Sequence, residues 1–331
     1  MYIITGGAGF IGSVTAAALE AGPGEKSPTV IVDSFGSSSK WQNVVRRRAR
    51  DIIHPSKLPA LLEKHQADIK AVIHFGATSS TTENNMDFLL ENNVFAATRL
   101  FDWCANHNKK FVFASSAAVY GNGAYGFSDD ERLSYINKLR PLHPQGWSKH
   151  LVDKYMVQAN KKPPSWLSLR FFNVYGPNEY HKGRMASVAS HVFQEAKKGG
   201  PVRLFKSHVK EYKDGEQKRD FVYVKDVARL VVWLLQQDDI SGIFNVGTGR
   251  ARSFDDLAHV VCKAIKERVD IEYINIPPEV RPNYQYFTEA DMSKMWQYVE
   301  NSNTRPFEFT SLEDGIKDYV ENYLIKDDPY L

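Results

Sequence analysis

Cysteine is nearly absent from this 331-residue chain: only Cys104 and Cys262 occur, far apart and without ligand-like spacing. That excludes a disulfide framework and a cysteine-based zinc site, and it accords with a reducing cytoplasm. Long apolar runs are missing too. The longest, around 227–235, contains Arg229 and falls well short of the ~20 residues a membrane span requires. The opening MYIITGGAGFIG has no basic stretch and breaks on glycines, so it does not read as a secretory signal. An excess of one charge is also lacking. The 42 Lys and Arg against 39 Asp and Glu leave a formal +3, too little to argue for nucleic acid but no obstacle to an anionic small molecule. The expectation is a cytoplasmic protein with no membrane and no nucleic-acid partner.

What is present is a rhythm of short β-rich runs alternating with helical stretches. Residues 2–5, 29–33, 70–75, 110–115 and 166–173 are continuous and apolar rather than alternating, as strands covered by helices on both faces are. Between the first two, residues 10–21 place Ile11, Val14, Ala18 and Leu19 on one helical face. Strands alternating with helices predict an α/β fold with a doubly wound parallel sheet of the Rossmann type. Beyond about 175 the rhythm changes. The pattern predicts a helix over 186–198, an exposed charged loop over 207–219 and a strand at 221–224. A helix carrying Val227, Leu230, Val231 and Leu234 follows, then a strand at 243–247, a helix start at Ser253 and a final amphipathic helix near 312–323.

The strongest motif is TGGAGFIG, with Gly6, Gly9 and Gly12 spaced G-x-x-G-x-x-G and Gly7, Gly9 and Gly12 spaced G-x-G-x-x-G. It follows a predicted strand and opens a predicted helix. Glycines allow a tight turn and close backbone approach to a pyrophosphate, and the helix N-terminus offers unpaired N–H groups to the negative charge. Asp33 ends the next strand, where an acid takes ribose hydroxyls. That carboxylate favours NAD, since it repels a 2′-phosphate. Lys40 and the cluster Arg46, Arg47, Arg48 and Arg50 would favour NADP by neutralising that phosphate, or else form a solvated face. The predicted organisation is a dinucleotide-binding domain over 1–175, joined by about 219–247. Residues 176–218 and 248–331 then form a smaller mixed α/β substrate-binding lobe.

ASSAAVYG follows a strand expected at the sheet centre, and PQGWSK comes later. Here the chain resembles the extended short-chain dehydrogenase/reductases, which combine a serine or threonine after this strand with Y-x-x-x-K on the next helix. HFGATSSTTE, RFFNVYGPNEYHKGRMASV, KRDFVYVKDVA, GIFNVGTGRARSF and YQYFTEADM narrow the resemblance to the ADP-L-glycero-D-manno-heptose 6-epimerase family, from Met1 to about Tyr323. The resemblance implies bound NADP, with NAD as the alternative, and a nucleotide-sugar substrate, ADP-heptose, inverted at C6 by oxidation and re-reduction during lipopolysaccharide core biosynthesis. It also implies a homo-oligomer, a pentamer. No metal is expected.

Carried over by position, the resemblance makes Ser116 the hydroxyl on the reacting oxygen, Lys149 the motif lysine and Lys182, of the HKG segment, a second base. Gln145 stands where the family has the motif tyrosine. An amide cannot lose a proton near neutral pH, so the expectation is an epimerase scaffold of reduced activity. The alternatives are another epimerase, dehydratase or decarboxylase of this type acting on a different nucleotide sugar, or a non-catalytic cofactor-binding homologue. Phe10, Ile11, Ser34, Phe75, Gly76, Ala77, Thr78, Ser79 and Asn92 are expected around the cofactor with the residues already named. Asn173, Val174, Arg184, His191, Leu204, Phe205, Arg219 and Tyr284 are expected around the sugar nucleotide. For Arg219 the rationale is a guanidinium fork onto the diphosphate. For His191 a satisfied interior histidine is the other reading. Arg184 replaces a serine of the best-matching pattern, and the loop over 207–217 is longer than usual.

Overall fold

A computed structural model of the chain describes residues 1–22, 28–266, 268, 270–278, 280–302 and 308–331. Its frame is a seven-stranded sheet in the order β10-β6-β5-β4-β1-β2-β3. The strands are β1 (Tyr2–Thr5), β2 (Thr29–Val32), β3 (Asp51–Ile53), β4 (Ala71–His74), β5 (Lys110–Ser116), β6 (Trp166–Phe171) and β10 (Gly242–Val246). Every pairing in it is parallel. The period of two along β1 sends Ile3 and Ile4 to opposite faces, both fully buried. On one face Ile3, Val30, Val72, Phe111 and Phe113 meet Leu58, Leu62, Leu100, Phe101 and Met156 of the covering helices. On the other, Ile4, Ile73, Val112 and Leu169 meet Ala16, Leu19, Leu230, Val231 and Leu234. This two-sided burial is why the sequence runs are continuous rather than alternating.

The chain order reverses between β1 and β4, and ligands of open α/β sheets bind at such a reversal, outside the carboxyl ends of the strands. The backbones of the two strand ends approach closely there. A Cβ on Gly6, whose φ is +65°, would lie 2.6 Å from the Gly76 nitrogen. The Thr5 hydroxyl is hydrogen-bonded to His74 Nδ1 at 2.6 Å and accepts the Gly76 N–H at 3.1 Å.

The remaining strands form two small sheets. β7 (Asn173–Tyr175), β9 (Lys218–Tyr223) and β11 (Ala251–Ser253) make one, in the order β11-β9-β7, and β8 (Val202–Phe205) with β12 (Ile271–Ile274) the other. Helices Val188–Lys197, Phe254–Ile265 and Leu312–Tyr319 pack on them through Val192, Phe193, Leu257, Val261, Ile316 and Tyr319.

Several local expectations need correction. The run over 166–173 breaks after Phe171 and resumes as β7, which leaves the large sheet and pairs with 221–223 instead. The charged stretch over 207–219 is not all exposed loop. Gln217 is fully buried and Arg219 nearly so, since β9 already starts at Lys218. The helix expected over 186–198 begins at Val188, where the Ser187 hydroxyl caps the Ser190 N–H.

Candidate active site

The carboxyl ends of β1, β2, β4 and β5 open into a cleft of about 1420 Å³, more than the few hundred to ~1,000 Å³ of a single small-ligand pocket. The glycine turn forms its floor. Gly9 caps helix Phe10–Ala21 without a side-chain hydrogen bond, and the first turn carries no acidic residue. Its leading N–H groups therefore face the cleft with no competing carboxylate. A Cβ on Gly12 would lie 2.2 Å from the Gly6 carbonyl oxygen, so this position has no room for any side chain.

At the end of β2 the Asp33 carboxylate accepts from the Ala8 N–H at 2.9 Å, the Ser34 N–H at 2.8 Å and Lys40 Nζ at 2.7 Å. The acid and the lysine that argue for different cofactors thus form one ion pair on the cleft wall. The arginine cluster lies elsewhere. Arg46 binds Asp328 and the Tyr330 carbonyl, and Arg47 binds Glu20 and the Leu331 carbonyl. These side chains therefore fasten the chain terminus and do not line the cleft.

Ser116 ends β5. Its Oγ accepts the Ala118 N–H at 3.1 Å, which leaves the hydroxyl proton to be donated. Helix Pro144–Gln158 presents Gln145 and Lys149, one turn apart and both buried, to the same cleft. Among the described residues the Lys149 ammonium has no hydrogen bond or ion pair. It sits 4.6 Å from the centre of the Phe113 ring, and burial pushes its pKa down to about 8 against the pull of Asp153. Its charge also adds to the burial that holds His74 neutral, down to about 3. One turn on, Asp153 is fully buried and accepts from Ser168 Oγ at 2.6 Å and Arg170 Nε at 2.8 Å. Arg170 in turn bonds the Tyr120 hydroxyl at 2.9 Å, and Tyr120 donates to Asn245 at 2.6 Å. Tyr120, bonded on both sides, is part of this support and not of the cleft wall.

Lys182 enters from the opposite wall, on the short helical turn Tyr180–Met185. Its ammonium lies 5.3 Å from the Phe10 ring centre, and burial lowers its pKa while Glu179 opposes the shift. Glu179 is itself held by the Gly176 N–H, the Ser187 hydroxyl and the Tyr319 hydroxyl.

The cleft brings together all the residues expected around the cofactor: Gly6, Gly9, Phe10, Ile11, Gly12, Asp33, Ser34, Lys40, Phe75, Gly76, Ala77, Thr78, Ser79, Asn92 and Lys149. Ser116, Gln145, Lys182, Asn173 and Val174 line it as well. The other expected sugar-nucleotide residues do not. Phe205, Arg219 and Tyr284 gather beside it, with Tyr284 edge-on to Phe205 and the Arg219 guanidinium 5.3 Å from the Tyr284 ring centre. The Arg219 guanidinium already donates to the Lys218 and Gln285 carbonyls. Leu204 is buried in the core of the small lobe. Arg184 and His191 are exposed, and His191 Nε2 lies 3.3 Å from the Arg184 carbonyl. His191 is therefore neither a cleft residue nor an interior one.

Sequence reasoning passed over His143 and His181, both in the cleft. His143 caps its helix by accepting the Gly146 N–H at 3.1 Å, followed by Pro144. The dipeptide His-Pro at a predicted helix start was the available signal, since proline favours the first helical position. His181 had none, because its setting comes from contacts distant in sequence.

Comparison with known proteins agrees with this geometry. Residues 2–247 match the model of the NAD dependent epimerase/dehydratase family. The ADP-L-glycero-D-manno-heptose-6-epimerase of Fusobacterium nucleatum is 45% identical over the whole of both chains. The solved Helicobacter pylori ADP-L-glycero-D-manno-heptose-6-epimerase superposes with a TM-score of 0.79 at 28% identity, over 97% of this chain and 95% of that one. MoeE5, solved with UDP-glucose and NAD, has a TM-score of 0.71 at 26% identity over 97% of each chain. With the glycine turn, the paired Asp33 and Lys40 and the cleft at the sheet's reversal point all in place, the chain belongs to the NAD dependent epimerase/dehydratase family.

Proposed function

We propose that this chain is an isomerase that inverts C6 of ADP-glycero-manno-heptose by transient oxidation and re-reduction, with NADP as its dinucleotide. One observation carries the reading: a single cleft holds the glycine turn together with Ser116, Lys149 and Lys182, in a chain similar end to end to an enzyme named for that reaction. When bound, the dinucleotide supplies a reversible hydride acceptor. The chain's own residues handle the protons and the charge. Ser116 donates its free proton to the reacting oxygen. Lys149, with no anion beside it, places positive charge where alkoxide character develops. Lys182, on the opposite side of the reacting carbon from Gln145, takes the C6 hydroxyl proton as the alcohol becomes a ketone and returns it to the oxygen as the inverted alcohol forms. Gln145 can orient a hydroxyl or a ketone but cannot accept its proton, so turnover on that face is reduced.

NADP is favoured over NAD because Asp33 is already engaged by Lys40 and two backbone N–H groups. That leaves it less able to take both ribose hydroxyls, while a 2′-phosphate can compete with Asp33 for the Lys40 ammonium. By resemblance the protein works as a cytoplasmic homo-oligomer of about five subunits. The test is to incubate the protein, loaded with dinucleotide, with the D-glycero form of ADP-heptose and follow C6 by NMR. Slow inversion is expected. Absence of inversion by both the native chain and Gln145→Tyr, with dinucleotide bound, would overturn the reading. The same assay on a panel of other nucleotide sugars then identifies the substrate.

A further inference from the structure

We infer that Asn43 is a positioning residue for Lys182: its buried amide ties the Lys182 turn to the dinucleotide loop, and residues 328–331 strap the two together from outside. This rests on the role of Lys182 proposed above. Asn43 is 1% exposed and lies just past Lys40, on the short helical turn Ser39–Val44. Its Nδ2 donates to the Ala8 carbonyl at 2.9 Å and the Asn178 carbonyl at 3.1 Å, and lies 3.2 Å from His181 Nδ1. Ala8 belongs to the glycine turn, while Asn178 and His181 lead directly into Lys182. One side chain therefore joins the two walls of the cleft.

The donor set fixes the chemistry of the joint. An amide NH₂ has two protons, and the Ala8 and Asn178 carbonyls take both, with His181 Nδ1 packed against the amide at 3.2 Å. Burial and the neighbouring Lys40 and Lys182 keep His181 neutral, with a pKa down at about 4. Asn178 is held as firmly. It is fully buried with φ +74°, a left-handed conformation that asparagine tolerates better than most residues. Its Nδ2 donates to Ser13 at 2.9 Å, and its Oδ1 accepts the Leu331 N–H at 3.0 Å. The strap continues outward. The Tyr330 hydroxyl donates to Gln42 beside Asn43, Arg46 binds the Tyr330 carbonyl, and the Tyr180 hydroxyl donates to the Pro329 carbonyl at 2.9 Å. Residues 328–331 thus bridge the turn that carries Lys40 to the turn that carries Lys182.

Asn43→Ala tests the joint, and Tyr330→Phe, which removes one outer bond and keeps the ring, is the milder companion should the first fail to fold. For Asn43→Ala, kcat should fall about 10- to 100-fold with substrate KM and dinucleotide Kd nearly unchanged, because a small displacement of an acid–base group acts on the chemical step. Amide exchange across 178–185 should quicken by about tenfold or more while β5 stays protected. Tyr330→Phe should move the same readouts in the same direction by a smaller factor. A parallel loss of kcat and dinucleotide affinity, or unchanged exchange over 178–185, would each overturn the inference. The exchange measurement needs no turnover. It therefore still judges the joint if the native chain proves inert on ADP-heptose.

Discussion

Among the described residues Lys149 is a buried ammonium with no anionic partner, kept for what it faces and not for what it stabilises. The unfolded chain holds this proton up to about 10.5, whereas the folded chain releases it at about 8. Stability is therefore depressed by a constant amount below about pH 8 and recovers as pH rises toward 10.5. Lys149→Met should raise the unfolding free energy at pH 7 by at most about 3 kcal/mol, seen as a higher urea midpoint, and the gain should shrink across that window while activity is lost. Unfolding midpoints of both proteins from pH 7 to about 10 check this. An unchanged difference across the range would mean that the ammonium is solvated after all. Beside it, Gln145→Tyr supplies a proton acceptor where the amide offers none and should raise turnover by ~10²–10⁴, read by the same NMR assay. Of these two positions the sequence revealed residue types and spacing. It did not reveal that Lys149 would lie over Phe113 with no carboxylate of its own, because Asp153, one turn away, is consumed by Ser168 and Arg170.

At the scale of elements, the glycine turn was the most legible feature, since backbone crowding alone dictates it. Gly12→Ala would press a methyl group against the Gly6 carbonyl, and neither backbone can yield. Dinucleotide affinity should fall at least tenfold, measurable by fluorescence quenching, with a stability loss of about 1–3 kcal/mol. Helix Pro144–Gln158 is fastened to β6 by the fully buried Asp153–Arg170 pair. Asp153→Ala leaves that guanidinium buried and unpaired and should cost about 3–5 kcal/mol. Replacing both partners by apolar residues should cost less, as a double-mutant cycle in urea would show. The strands of the large sheet other than β3 were legible because two-sided burial makes their sequences continuous. β3, β8, β11 and β12 were not, being short, half-exposed runs whose pairing depends on distant partners. The same reason hid Asn43 and His181 and misplaced Arg184, His191 and Leu204. These positions are decided by tertiary contact, and a likeness of motif carries a residue's number but not its surroundings.

At the scale of the molecule, the chain leaves the large sheet after β6, builds most of the small lobe's first layer, and returns only with β10 at residues 242–246. Until then β6 is the outermost strand on that side, with Trp166, Leu167, Leu169 and Phe171 all buried in the finished protein. Protein synthesis delivers residues in order, so a nascent chain must lengthen by some seventy residues past β6 before this unpaired, apolar border is closed. Fragments that stop near residue 175 should consequently precipitate or recruit chaperones, and those that also include Ala290, Met292 and Met295, which pack against β10, should stay in solution. The order of emergence from the ribosome, as much as the final packing, makes the two lobes obligate companions.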